Sequence, residues 1–187
     1  MTKEKQKKIE IGTVIKRDIL ENRVKTSYLS IGSNLGNKFK NIDRAKFNLS
    51  FKDTKIVDCS SYYESLSWPN PKNPKFINII VKIETTLSPI KLLNKCNLIE
   101  KKLGRKRSKK NAPRICDIDI IDYDQKTLNF DGKVKLLIPH PLLKERNFVL
   151  LPLYEICKDW KHPSNGKNIS SLIKSLNSKD LMAIKQI

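Results

Sequence analysis

Asp117 and Asp119 stand two residues apart in the run Pro113-Arg114-Ile115-Cys116-Asp117-Ile118-Asp119, just beyond a basic stretch that holds Arg105, Lys106 and Arg107. On a strand the side chains alternate, so both carboxylates share one face while Cys116, Ile118 and Ile120 take the other. Two carboxylates side by side repel unless a cation lies between them. Hard oxygen donors with room for water and phosphate oxygens suit Mg²⁺. Arg105, Arg107 and Arg114 bracket the acids, and guanidinium forks match phosphate geometry. Metal ligands ringed by phosphate-binding cations are what phosphoryl-type transfer needs, because there the protein mainly positions groups and neutralises charge. A lone D-x-D is common on exposed strand edges, and a lone basic loop is usually a solvated surface. Their succession after a helix-ending Gly104 carries the reading. No obvious general base stands beside the two aspartates.

The surrounding pattern supplies elements to position these groups. Tyr28 to Ile31 reads as a strand running into a turn at Gly32-Ser33-Asn34-Leu35-Gly36. Phe39, Ile42, Ala45 and Leu49 recur at spacings of three and four, one face of an amphipathic helix. Lys55 to Tyr63 reads as a second strand, and a loop with Pro69, Pro71 and Pro74 follows, too rich in proline for regular structure. Phe76 to Thr85 is a third, strongly apolar strand. Ser88 and Pro89 mark a helix start as N-cap and first helical residue. Leu92, Leu93, Cys96, Ile99 and Leu103 form that helix's buried face, and Gly104 ends it. Ile115 to Tyr123 is the fourth strand. A hairpin through Asp131-Gly132, a Pro139-His140-Pro141 turn and short helices near 148–157 and 169–176 complete the chain. The order predicts an α+β fold: a ferredoxin-like βαββαβ antiparallel sheet with helices packed on it and a C-terminal extension.

Composition narrows the functional classes. The 187 residues suit one domain with a real core, expected over 26–187, while residues 1–25 are polar, charged and expected to form a mobile extension. The formal net charge of +19 raises the possibility of a nucleic-acid binder, but the lysines are spread through nearly every segment and no aromatic RNA-binding motif accompanies them. No nucleic-acid partner is therefore expected. No apolar run approaches the roughly 18 residues of a membrane span, and the Lys-rich start lacks the hydrophobic centre of a secretory signal. Cys59, Cys96, Cys116 and Cys157 are far apart with no C-x-x-C pair, which reads as free thiols in a reducing, cytoplasmic setting. His162, in a Pro/Gly loop, reads as a surface residue.

Several blocks in order resemble the 6-hydroxymethyl-7,8-dihydropterin pyrophosphokinase family over roughly residues 26–176. They are Ile31-Gly32-Ser33-Asn34-Leu35-Gly36; Ser60-Ser61-Tyr62-Tyr63-Glu64-Ser65; Phe76-Ile77-Asn78; Pro113-Arg114-x-x-Asp117-x-Asp119; and Pro139-His140-Pro141 with Arg146-x-Phe148-Val149-Leu150-x-Pro152-Leu153. The resemblance implies transfer of pyrophosphate from MgATP to a pterin alcohol, giving AMP and a pterin diphosphate for folate biosynthesis. By the same resemblance Asp117 and Asp119 hold two Mg²⁺ ions, while Glu100, Arg105, Arg114, His140 and Arg146 meet ATP. Arg107 closes over the phosphates from a mobile loop. Phe76 and Phe148 sandwich the pterin, Asn78 reads its edge, and Asn34, Ser65 and Leu66 complete the pocket. The loops at 66–75 and 105–113 are the expected lids.

Two departures stand out. Asn111 and Ala112 occupy places where the family commonly has an aromatic residue and Gly, which raises the alternative of a slow or decayed enzyme. Trp68 follows the second strand block and could cover the pterin or plug the loop. Many relatives are fused to a following synthase, whereas this chain ends at Ile187, so a monofunctional enzyme is expected; it is also expected to act on small molecules as a monomer. Two other classes stay open: a different Mg-dependent nucleotidyl- or phosphotransferase, and a basic ferredoxin-like RNA-binding module.

Overall fold

Alternation along one strand sets the layering of the molecule. β1 (Lys25–Ser33) sends Leu29 and Ile31 into one apolar cluster and Tyr28 into a second. Ser30 and Gly32 follow Tyr28 in the period of two and share its face. The computed structural model describes residues 23–105, 111–132 and 134–187.

After β1 come α1 (Lys38–Leu49), β2 (Thr54–Cys59), β3 (Tyr63–Ser65), β4 (Phe76–Thr85), α2 (Pro89–Lys102) and β5 (Asp117–Tyr123). A hairpin of β6 (Leu128–Asp131) and β7 (Lys135–Ile138) follows, then α3 (Asn147–Ile156), α4 (Ile169–Lys174), α5 (Ser178–Met182) and β8 (Ile184–Gln186). The main sheet runs β5-β1-β4-β3-β8 with β2 also on β4, and its pairings are antiparallel. Counting β2 and β3 as one interrupted strand, the order is βαββαβ, the expected ferredoxin-like arrangement.

Local chemistry explains the boundaries. Asn37 caps α1 by accepting from Lys40 N at 3.0 Å, and Ser88 caps α2 with Pro89 as its first residue. Gly104, at φ +96°, turns the chain away from α2 in a conformation that side chains with a Cβ adopt only under strain. Ile42, Ala45 and Leu49 of α1 and Leu92, Cys96 and Ile99 of α2 bury against Leu29, Ile31, Ile79, Val81, Ile83, Ile118 and Ile120. Each fully buried aliphatic side chain here contributes about 1.5–3 kcal/mol. On the opposite face Val149, Leu150 and Leu153 of α3, with Trp160, Ile169 and Leu172, cover Tyr28, Ile80 and Ile121.

The structure departs from the sequence reading in several places. The strand expected over 55–63 is split, because Ser60 donates its N–H to Ile80 O and accepts Ile80 N on its hydroxyl, both at 2.9 Å. That side chain stands in for a backbone acceptor, so the ladder lapses for a few residues. Phe39, expected on the buried face of its helix, is 46% exposed and lies edge-on to Tyr62 at 5.1 Å. His162, read as surface, is buried against Trp160, with Nδ1 accepting from Ser164 N. The three-residue β8 had no counterpart in the sequence pattern. Of the extension expected over 1–25, residues 1–22 lie outside the described residues and Lys25 already belongs to β1.

Candidate active site

The part of the second sheet face that α3 leaves uncovered forms the site. Its floor follows from strand register. In β1, Gly32 pairs with Asn78 on one side and Asp117 on the other. Ser30 pairs with Ile80 and with Asp119. A glycine and a serine on the central strand thus leave a trough between the acids of β5 and the polar and aromatic groups of β4. A Cβ on Gly32 would come within 2.8 Å of Asn78 Oδ1 and 3.3 Å of the Phe76 ring, so only glycine fits without displacing both. The resulting cavity of about 270 Å³ is lined on one flank by Glu100, Arg105, Arg114, Asp117, Asp119 and Arg146. Its other flank is Ser65, Leu66, Trp68, Phe76, Asn78 and Phe148.

On the charged flank every acid is already engaged. Asp117 Oδ1 accepts from Arg105 at 2.8 Å and Arg114 at 3.0 Å. Glu100, buried on the inner face of α2, pairs with Arg105 and accepts Ile118 N at 2.7 Å. Asp119 Oδ2 accepts from Arg146 at 2.6 Å. Burial pushes the Glu100 carboxyl up to about 7, with the Arg105 charge and the Ile118 N–H pulling the other way. Burial and then the Asp119 charge raise Asp117, against Arg114 and Arg105. Asp117 Oδ2 and Asp119 Oδ1 accept no hydrogen bond among the described residues, and Arg146 Nε is buried with no acceptor. An uncommitted carboxylate oxygen on each acid and an orphaned guanidinium N–H define a place for a cation and an anion together.

The aromatic flank is built differently. Ser65 Oγ accepts Asn78 Nδ2 at 2.9 Å, fixing which way the amide points. Neither Phe76 nor Phe148 stacks on another aromatic ring among the described residues; instead the Arg146 guanidinium lies 5.5 Å from the Phe148 centroid and 5.7 Å from that of Trp68. Arg146 therefore touches both flanks.

The sequence-derived residues fall unevenly around this cavity. Glu100, Arg105, Arg114, Asp117, Asp119, Arg146, Ser65, Leu66, Phe76, Asn78 and Phe148 line it together. Asn34 does not. Its amide donates to Pro74 O at 3.1 Å and accepts Arg114 N at 2.6 Å, which ties the 66–75 loop to the segment just before the strand carrying the acids. His140 also stands outside, lining an adjoining groove with Asp119 and Leu93. Its Nε2 is 3.8 Å from Asp119 Oδ2, its Nδ1 accepts Leu142 N at 3.1 Å, and burial lowers its pKa despite the Asp119 charge. Arg107, assigned to the closing loop, lies outside the described residues. Sequence reasoning missed Ser30 and Asn97, both in the lining. The signal was there: Ser30 is two residues before Gly32 on a strand, and Asn97 is four after Leu93 on a helix.

Fold and site together define a ferredoxin-like α+β protein with a cleft suited to holding a polyphosphate beside a flat polar ring. Comparison with known proteins makes the class particular. The sequence profile of 7,8-dihydro-6-hydroxymethylpterin-pyrophosphokinase (HPPK) matches residues 28–158, and the chain belongs to that family. It is 40% identical over 157 residues to the folic acid synthesis protein fol1 of Pneumocystis carinii, covering 84% of this chain and 21% of that protein. It is 37% identical over 150 residues to the 2-amino-4-hydroxy-6-hydroxymethyldihydropteridine pyrophosphokinase of Synechocystis, covering 80% of this chain and 75% of that one. The chain thus spans about a fifth of the fungal relative's length and three quarters of the cyanobacterial one. Among solved structures, a Plasmodium falciparum HPPK-DHPS variant with pterin and p-hydroxybenzoate superposes with a TM-score of 0.71 at 16% identity, over 89% of this chain and 48% of that one. That likeness supports the fold. No helix among the described residues is long and apolar enough to cross a membrane.

Proposed function

We propose that this chain transfers a diphosphoryl group from ATP to the hydroxymethyl oxygen of 6-hydroxymethyl-7,8-dihydropterin, releasing AMP. One observation carries the reading: a single cavity joins paired carboxylates and guanidiniums on one flank to two phenyl faces and an oriented amide on the other. The names borne by the relatives point the same way. Residues 26–187 act, in this reading, as one domain and as a monomer on small molecules. The four free thiols suit a cytoplasmic setting.

The residues present fit Mg²⁺. Among the described residues no group of three or more His, Cys, Asp or Glu side chains forms a complete metal cage. An incomplete oxygen set suits an ion that keeps water and shares phosphate oxygens with its protein ligands. Asp117 and Asp119 would hold two such ions, and when bound these supply neutralising charge to the triphosphate.

The protein's own groups do the rest. Arg105, Arg114 and Arg146 offer donors to phosphate oxygens, and the unpaired Arg146 Nε–H gains an acceptor. Phe76 and Phe148 present apolar faces to the bicycle, and Asn78, with its amide set by Ser65, reads the ring's donor and acceptor edge. Trp68 lines the same cavity. The alcohol oxygen then attacks the β-phosphorus in line as the bond to the AMP oxygen breaks and the hydroxyl proton is released, an event governed by placement and charge. The 66–75 loop, tied down by Asn34, limits the access of water.

A coupled assay for AMP decides the matter. AMP formed from ATP only when hydroxymethyl-dihydropterin and Mg²⁺ are both supplied is the expected result. Formation of ADP would replace this reading with a simple phosphotransferase, and nucleotide turnover indifferent to the pterin would remove it.

A further inference from the structure

The family match ends at residue 158, yet the chain beyond it returns to the site and touches both walls of the aromatic slot. β8 pairs with β3 through Tyr63↔Gln186, Glu64↔Lys185 and Ser65↔Ile184. Ile187 N donates to Tyr62 O at 2.9 Å, and Gln186 Nε2 donates to Ser61 Oγ at 2.9 Å. β3 has only three residues, and its other ladder, to β4, is equally short. The wall it leads into, Ser65, Leu66 and Trp68, therefore rests on a narrow footing that β8 doubles. The same segment reaches the opposite wall. α5 presents Asp180 O to Asn147 Nδ2 at 2.5 Å, and Asn147 Oδ1 accepts Phe148 N at 2.6 Å. Asn177 caps α5 by accepting Asp180 N at 2.8 Å, so the anchor is itself held.

We propose that residues 177–187 are a positioning strap that fixes the spacing between the Ser65–Trp68 wall and Phe148 and thereby sets affinity for the flat ligand; this rests on the pterin reading above. A bare edge-covering strand would contact β3 alone. This one is continuous with a helix clamped to the residue before Phe148. A second link persists without it: Glu155 of α3 accepts from Ser61 N at 3.0 Å, Ser61 Oγ at 2.7 Å and Tyr63 OH at 2.9 Å. Loss of the strap thus loosens the slot and leaves the sheet standing.

The alternation of an antiparallel ladder makes Glu64↔Lys185 the hydrogen-bonded pair next to Tyr62–Ile187. Lys185→Pro removes that donor, and a chain ending at Leu176 removes the strap entirely. Calorimetry would titrate a non-hydrolysable ATP analogue with Mg²⁺ and then the hydroxymethyl-dihydropterin, alongside amide hydrogen exchange. Both variants are expected to weaken pterin binding by about tenfold and leave nucleotide binding within about twofold. Exchange should speed up at 63–66 and 148–150. Unchanged pterin affinity, unchanged exchange at those amides, or parallel losses of both ligands would each overturn the strap. Failure of the intact chain to bind pterin would instead overturn the functional reading, and the exchange data would still judge the strap.

Discussion

The two flanks of the cavity solve opposite problems. Among the described residues the charged flank assembles three carboxylates and three guanidiniums at close quarters, and each acid is held by at least one arginine. Its order comes from mutual neutralisation, so removing one partner strands another in a low-dielectric site. The aromatic flank has no such internal bargain. Phe76 and Phe148 offer faces that no other ring among the described residues covers, and its order comes from neutral hydrogen bonds at Asn78, Ser65 and Asn147. One flank is tuned to charge and the other to shape, so damage to each should show in a different kinetic constant.

The sharpest break is Asp119→Ala. It removes one of the paired carboxylates and leaves Arg146 without its partner, and turnover measured as AMP release should fall on the order of 1,000-fold with the circular dichroism spectrum retained. A residual rate within tenfold of the parent would show that the charged flank is not the reacting end. Phe148→Ala probes the other side. Its pterin KM should rise about 10- to 100-fold while nucleotide affinity stays within about twofold, and matching losses in both would merge the two flanks.

Gly32→Ala sits between them. Its Cβ would press on Asn78 Oδ1 and the Phe76 ring, so pterin affinity should drop about tenfold and stability by about 1–3 kcal/mol in denaturant unfolding. Nucleotide binding unaffected by this change would place the floor's influence on the aromatic side. The smallest effect concerns pH. Glu100 in the folded chain titrates at about 7, above its unfolded value, because burial disfavours its charge. The folded state therefore holds that proton more tightly, and its stabilising contribution, full at low pH, is lost as pH rises from the ordinary glutamate range toward 7. Glu100→Gln keeps an oxygen for Ile118 N and should flatten that decline, a difference on the order of 3 kcal/mol between the two ends of the window. A parallel pH profile for both proteins would contradict it.

What could be read in the sequence was what depends on near neighbours. The shared face of Asp117 and Asp119 follows from a period of two, the start of α2 from Ser88-Pro89, and the bounds of β4 from a run dominated by Phe, Ile and Val. Each is local, and each stands in the structure. What stayed hidden depends on partners far along the chain. Ser60 interrupts a strand only because Ile80 lies opposite it. Asn34 looked like a pocket residue by resemblance, yet its amide is committed to Pro74 and Arg114, forty and eighty positions away. The three-residue run Ile184-Lys185-Gln186 is too short for a periodicity to announce a strand, and the edge of β3 makes it one. Ser30 contributes by being small between two larger neighbours, a property no single strand displays.

Arg146 carries a consequence for cooperativity. One side chain leans on the carboxylate at one end and on two rings at the other, so neither end can be filled without asking something of it. Whatever lures the guanidinium away from Asp119 also alters the furniture of the slot. Linkage then requires that occupancy of the slot change the hold on the distant ligand by an identical factor. Two chemically unrelated guests would thus read each other's presence through the swing of a single residue.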